Sequence, residues 1–135
     1  MVTRTVHLVT GPPCAGKTTH VTQHAQPGDL ILDADELGEA EYQRQLRHVA
    51  AMTTGTAWVI RCCPGPTARA AFAEQIGATS TVHLKPDREQ LLARARRRPN
   101  PRRAIQAVRH WHDVEAGRTP ARTNTDPEPT PRTRW

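Results

Sequence analysis

Gly11, Gly16, Lys17 and Thr18 stand at the fixed positions of G-x-x-x-x-G-K-S/T in the stretch Gly11-Pro12-Pro13-Cys14-Ala15-Gly16-Lys17-Thr18. That spacing is the Walker A phosphate loop, whose chemistry is the gripping of a polyphosphate. Glycines at 11 and 16 let the backbone turn sharply and bring its N–H groups against phosphate oxygens. A helix starting at Lys17 adds the partial positive charge of its N-terminus. Lys17 can then reach the β- and γ-phosphates, and the Thr18 hydroxyl can ligate Mg²⁺. The candidate nucleotide-binding set is Gly11, Pro12, Pro13, Cys14, Ala15, Gly16, Lys17, Thr18 and Thr19, with the two prolines stiffening a loop that must be formed before phosphate arrives.

Two carboxylates and a group of arginines could complete such chemistry. Asp33 and Asp35 follow the apolar run Leu30-Ile31-Leu32. One carboxylate there can hold Mg²⁺ through water, and the other can orient or deprotonate an attacking oxygen. The alternative use of either aspartate is to cap a helix beginning near Glu36. Arg94, Arg97 and Arg98 lie at i, i+3 and i+4 and would share a helix face. That face suits phosphates or a phosphoryl group in flight, as a lid or arginine finger does. The other reading is a solvated basic helix continued by Arg102, Arg103 and Arg109. Pro99-Asn100-Pro101 supplies a stiff break where a lid would bend. Arg61 stands where many phosphate-loop proteins carry an acid, so a metal would depend on Thr18 and the two aspartates. Arg61 itself either touches an acceptor phosphate or pairs with Asp33 or Asp35. The histidines at 7, 20, 24, 48 and 83 show no metal-ligand spacing and read as structural or surface residues.

Gathering these groups requires strands and helices in alternation. The expected order is a strand over 5–10, a helix over 17–25, a strand over 30–32 and a helix over 36–53 despite Gly38, ended by Gly55. A strand over 57–60 follows, then a helix over 67–76 capped by Thr67 and stopped by Gly77, a strand over 79–84, a helix over 88–98 and a last helix from about 102 to 115. The wholly apolar Leu30-Ile31-Leu32 is the mark of a buried parallel strand. Four alternations predict an α/β, three-layer fold with a short parallel sheet of about four strands flanked by helices. Ligands of such sheets sit beyond the carboxyl ends of the strands, which would bring the phosphate loop, Asp33, Asp35, the Arg61 loop and the start of the fourth helix to one rim. Trp58 reads as core. Trp111, with Ile105 and Val108, either packs the last helix on the sheet or stacks on a base.

The chain has 135 residues and a net charge of +6, carried almost wholly by arginine. An arginine excess suits polyanionic partners, although compositional bias accounts equally well for the scattered ones. Residues 1–116 make up the expected domain. Residues 117–135 are rich in Pro, Thr and Arg, cannot bury enough surface to offset their ordering entropy, and are expected to form a flexible tail. Cys14, Cys62 and Cys63 lack metal-ligand spacing and suit reduced thiols. No apolar run reaches signal-peptide or membrane length. A soluble cytoplasmic protein without a membrane partner is the expectation.

Residues 1 to about 115 resemble the small phosphate-loop kinases, among them the kinase domain of bacteriophage polynucleotide kinase, the shikimate and gluconate kinases, and short phage-encoded nucleotide kinases. The resemblance is carried by Gly11 to Thr18, the carboxylates after the second strand and the lid-like Arg94 to Pro99. It implies a phosphate-loop NTPase fold using ATP and Mg²⁺. By resemblance Lys17 and Asp35 would be catalytic, Asp35 as the acceptor-side base, and Asp33 would join Thr18 at the metal. Arg94 and Arg98 would be lid arginines, with Arg98-Pro99 similar to the shikimate-kinase lid. The glycine triplet that shikimate kinases carry after the third strand is replaced here by Cys62-Cys63-Pro64-Gly65, which argues against a shikimate substrate, and no fifth strand is evident. The expected function is transfer of the γ-phosphate of a nucleoside triphosphate to a nucleotide or nucleic acid 5′ end. The alternatives are a small-metabolite kinase, a nucleotide-binding switch with little or no hydrolysis, and a basic nucleic-acid-binding module.

Overall fold

Alternating side chains divide the strands between two faces. In β1 (Arg4–Thr10), Val6 and Leu8 point to one side and Val9 to the other; in β3 (Gly55–Arg61), Ala57 and Val59 oppose Trp58 and Ile60. The first set packs with Leu32 of β2 (Leu30–Asp33) against Tyr42, Leu46 and Val49 of α3 (Glu39–Ala51) and Phe72 and Ile76 of α4 (Pro66–Ile76). The second set packs against Val21 of α1 (Lys17–His24). Completed by β4 (Ser80–His83), the sheet has four strands, all parallel, in the order β2-β3-β1-β4, with helices on both faces. The computed structural model describes residues 3–118, so the expected tail lies, from residue 119 onward, outside the described residues.

This order carries the chain from β1 across β3 to β2, and later from β3 across β1 to β4. The segments leaving β1 and β3 therefore diverge in opposite directions, and a crevice opens between the carboxyl ends of these two neighbours.

Local chemistry shifts several boundaries. The helix expected over 36–53 is two helices, α2 (Ala34–Leu37) and α3, because Gly38 adopts φ 82° and ψ 153° and ends the first. Gly55 opens β3 instead of only ending a helix. Thr67 is not the cap of α4: Gly65 holds that position, and Pro66 takes the first helical site, where its missing N–H costs nothing. Helix α5 (Arg88–Arg96) stops short of Arg98, since the Arg97 and Arg98 amides bond back three residues and tighten the last turn. Helix α6 (Pro101–Glu115) starts at a proline and is capped by Asn100. Ile31 is 47% exposed, so the apolar run at 30–32 is not buried throughout: β2 is an edge strand, and α1 packs over β1 and β3 instead. Among the described residues no helix is long and apolar enough to cross a membrane.

Arg4 ties the amino end of the sheet to two helix ends. Its guanidinium donates to the Gly77, Val49 and Ile76 carbonyls at 2.6, 2.9 and 2.7 Å. Helix C-termini leave carbonyls unsatisfied and carry partial negative charge, so one arginine answers both needs for α3 and α4. Replacing Arg4 by Met should lower unfolding free energy by about 2 kcal/mol, the value of a charge-assisted hydrogen-bond set. Denaturant titration checks this, and a loss below about 0.5 kcal/mol would show that solvent serves the three carbonyls equally well.

Candidate functional site

The segment after β1 crosses the crevice as a tight loop. Gly11 has φ 152°, and a Cβ built there would lie 2.4 Å from the Leu84 carbonyl oxygen. Gly16, at φ 91°, sits at the N-cap of α1, which has no side-chain cap and no acid in its first turn. The start of α1 therefore presents its N–H groups and partial positive charge to the crevice. Lys17 Nζ donates to the Gly11 and Pro12 carbonyls at 3.0 and 2.8 Å, with Cys62 Sγ at 3.5 Å. Pro12 O also accepts from Ala15 N, so the loop closes on itself.

An open cleft of about 440 Å³ lies over this loop and is lined by Lys17, Thr18, Asp33, Asp35, Glu36 and Arg98 among others. The Thr18 hydroxyl donates to Asp33 Oδ2 at 3.1 Å. The other carboxylate oxygen, Oδ1, accepts from Asp35 N at 3.0 Å and caps α2. Asp33 thus takes the capping role set as an alternative above, and its second oxygen is left to accept from Thr18. One oxygen shapes the turn and the other stands at the hydroxyl, because carboxylate has lone pairs for both. Asp35 is exposed on the first turn of α2 at the cleft.

The arginines separate. Arg94 Nη1 donates to Cys14 O at 3.0 Å, while Arg98, beyond the end of α5, lines the cleft with Pro99. They do not form one face. Arg61 pairs with neither aspartate: its partner is Glu39 at 3.6 Å, and the guanidinium lies 5.3 and 5.5 Å from the Tyr42 and Phe72 ring centres. Burial disfavours the cation there, but Tyr42 and Glu39 outweigh it and hold Arg61 charged. Trp111 does not offer a face to a base. It is 2% exposed, its Nε1 donates to Cys62 O at 2.9 Å, and its ring stacks on His83.

The loop after β3 is bracketed by the last helix. Arg69 and Glu115 form a two-pronged pair at 2.6 and 3.0 Å, Glu115 Oε1 also accepts from Gly65 N, and Arg69 reaches Cys63 O. These bonds support Cys63 at φ 43°, a left-handed conformation unusual for a residue with a side chain. Burial pushes the Cys63 thiol up to about 11, so it stays protonated at neutral pH. All three cysteines are free.

Chemically, the cleft joins a cation, an uncapped helix start, a hydroxyl touching a carboxylate, and a second carboxylate. Among the described residues no three His, Cys, Asp or Glu side chains converge to hold a metal on their own. A hydroxyl and one carboxylate oxygen suit Mg²⁺, which keeps several waters and takes other ligands from phosphate. Cys62 and Glu36 line the cleft although the motif did not single them out; the signal available for both was their position just past a strand end. Compared with known proteins, the chain matches no family model and no curated sequence.

Two predictions come from this geometry. Gly11→Ala should carry positive-φ strain of the kind Gly16→Ala would and, on top of it, about 1–3 kcal/mol from forcing backbone against the Leu84 carbonyl. Gly16→Ala, with nothing within 4 Å of the added carbon, should cost only the left-handed strain of about 1–2 kcal/mol. Equal losses in thermal melts would refute the steric account. Hydrogen bonds from Arg69, helped by Gly65 N–H, hold the Glu115 carboxyl below the usual range against the effect of burial. Its stabilisation is present above the ordinary glutamate pKa of about 4.3 and lost as pH falls through the depressed folded value. Glu115→Gln should therefore cost about 2 kcal/mol at pH 7 and much less near pH 3, and a pH-independent difference would count against the linkage.

Proposed function

We propose that this chain has a phosphate-loop NTPase fold and works as an ATP-dependent phosphotransferase acting on a nucleotide or nucleic acid 5′ end. The observation that carries this reading is the Thr18–Asp33 contact beside Lys17, at the uncapped start of α1 in the crevice between β1 and β3. A phosphate grip, a metal-suited oxygen pair and a separate carboxylate are the parts that phosphoryl transfer requires.

In this reading the N–H groups at the start of α1 hold phosphate oxygens, and Lys17 leaves the Gly11 and Pro12 carbonyls to join them. Mg²⁺, held by Thr18 and Asp33, would neutralise charge on the β- and γ-phosphates. Asp35 orients the acceptor oxygen, which belongs to a hydroxyl or a phosphate, and takes the proton where it is a hydroxyl. The acceptor oxygen bonds to the γ-phosphorus as the bond from that phosphorus to the β–γ bridging oxygen breaks, and the nucleoside diphosphate leaves. A polyanionic acceptor is supported by charge: between Glu89 and Asp113 the chain carries arginines at 94, 96, 97, 98, 102, 103 and 109 and no carboxylate. That stretch includes Arg98 and Pro99 at the cleft.

MgATP should raise the melting temperature of the wild type and leave Lys17→Ala unmoved; no shift in the wild type would dispose of nucleotide binding. Labelled γ-phosphate should then appear on nucleoside monophosphates or 5′-hydroxyl oligonucleotides in a panel that also holds nucleosides and sugar acids. Asp35→Asn should reduce transfer by about 10²–10⁴-fold with binding retained. Label on a sugar acid alone would make the protein a metabolite kinase, and binding without any labelled acceptor would make it a switch.

A further inference from the structure

We infer that Arg94 is a positioning residue which holds the phosphate loop in its binding shape from behind, and that α5 and α6 form a fixed wall of the site instead of a moving lid. The inference rests on the nucleotide-binding reading above and concerns how that site is built. Arg94 sends Nη1 to the carbonyl of Cys14 at 3.0 Å, across the interface between α5 and the loop. Cys14 has φ 68°, the left-handed region that disfavours any residue with a Cβ. The bonds that Ala15 N and Lys17 Nζ make within the loop go to the Gly11 and Pro12 carbonyls, and Arg94 reaches the carbonyl of Cys14 itself.

Packing supplies the rest of the restraint. Cys14 and Ala15 are buried in one cluster with Leu91 and Ala95 of α5 and Ala104 and Val108 of α6. The apex of the loop is thus part of the hydrophobic core between the two helices. A lid that swung away would expose this cluster and break the Arg94 bond, so the α5–α6 pair cannot open as a unit without unmaking the loop. From the α5–α6 segment it is the turn beyond the end of α5, with Arg98 and Pro99, that lines the cleft, and it lies outside the cluster.

The chemistry follows from which end of the peptide Arg94 holds. Its bond to the Cys14 carbonyl fixes the plane of the peptide joining Cys14 to Ala15 and keeps that oxygen on the α5 side. A carbonyl turned toward the cleft would instead repel phosphate oxygens. The guanidinium also puts positive charge behind the loop without touching the ligand.

Wild type, Arg94→Lys, Arg94→Met and Arg98→Met are compared by steady-state kinetics, with MgATP affinity from isothermal titration. Arg94→Met should raise the nucleotide Kd and KM by on the order of tenfold or more, with kcat within about threefold of wild type, and Arg94→Lys should recover part of the affinity. A lid arginine on the transferring phosphoryl group would instead show kcat lower by about 10³-fold with nucleotide affinity retained, and that outcome for Arg94→Met overturns the inference. Unchanged affinity and rate in Arg94→Met would overturn it as well. Melting curves without nucleotide identify a variant that has failed to fold, in which case Arg94→Lys decides. If the wild type binds no nucleotide, the functional reading itself fails, which is a distinct result.

Discussion

Where β1 and β4 end side by side, Leu84 N donates to Thr10 O at 2.8 Å and the Leu84 carbonyl oxygen faces Gly11. There is no room for a side chain between them. The chain passes from strand to loop without a clash only with glycine at position 11, and from there it turns through Pro12 and Pro13 onto the start of α1. Everything that meets in the cleft depends on this passage. Lys17 and Thr18 are aimed by the helix start, and Asp33 meets Thr18 because β2, reached by way of α1, ends on the same rim.

Around that passage the structure spends its polar side chains on holding loops. Arg4 serves the carbonyl ends of α3 and α4, Arg94 holds Cys14, Trp111 holds the Cys62 carbonyl, and the Arg69–Glu115 pair braces the turn from Cys63 to Gly65. Two of these supports lie behind non-glycine residues in the left-handed region, Cys14 and Cys63. Strain of about 1–3 kcal/mol persists at such places only where neighbours over-determine the backbone. Cys14 lines the cleft, whereas Cys63 packs against the core on the α3–α4 side. Arg61 belongs to this framework too. Half-buried beside Glu39 and close to two aromatic rings, it joins β3 to the α3–α4 layer and takes no part in the acidic group at the cleft.

Much of this was legible in the chain itself. The order of strands and helices, the phosphate-loop spacing, the placing of Asp33 and Asp35 at a strand end and the burial of Trp58 follow from local patterns. A strand alternates with period two, a tight turn needs glycine, and a carboxylate after an apolar run has few places to go. The sequence by itself therefore determined the architecture and the residues brought to the rim. Which partner each long side chain would choose was decided only by tertiary structure. Spacing put Arg94 and Arg98 on one helix face, yet α5 ends between them, and one grips the Cys14 carbonyl while the other reaches the cleft. Spacing also left Arg61 with two aspartates as candidate partners, and Glu39 took it. The physical reason is reach. A guanidinium on a flexible stem can satisfy any anion or carbonyl within several ångströms, and those neighbours come from segments far apart in the chain, so they become known only when the sheet and helices are packed.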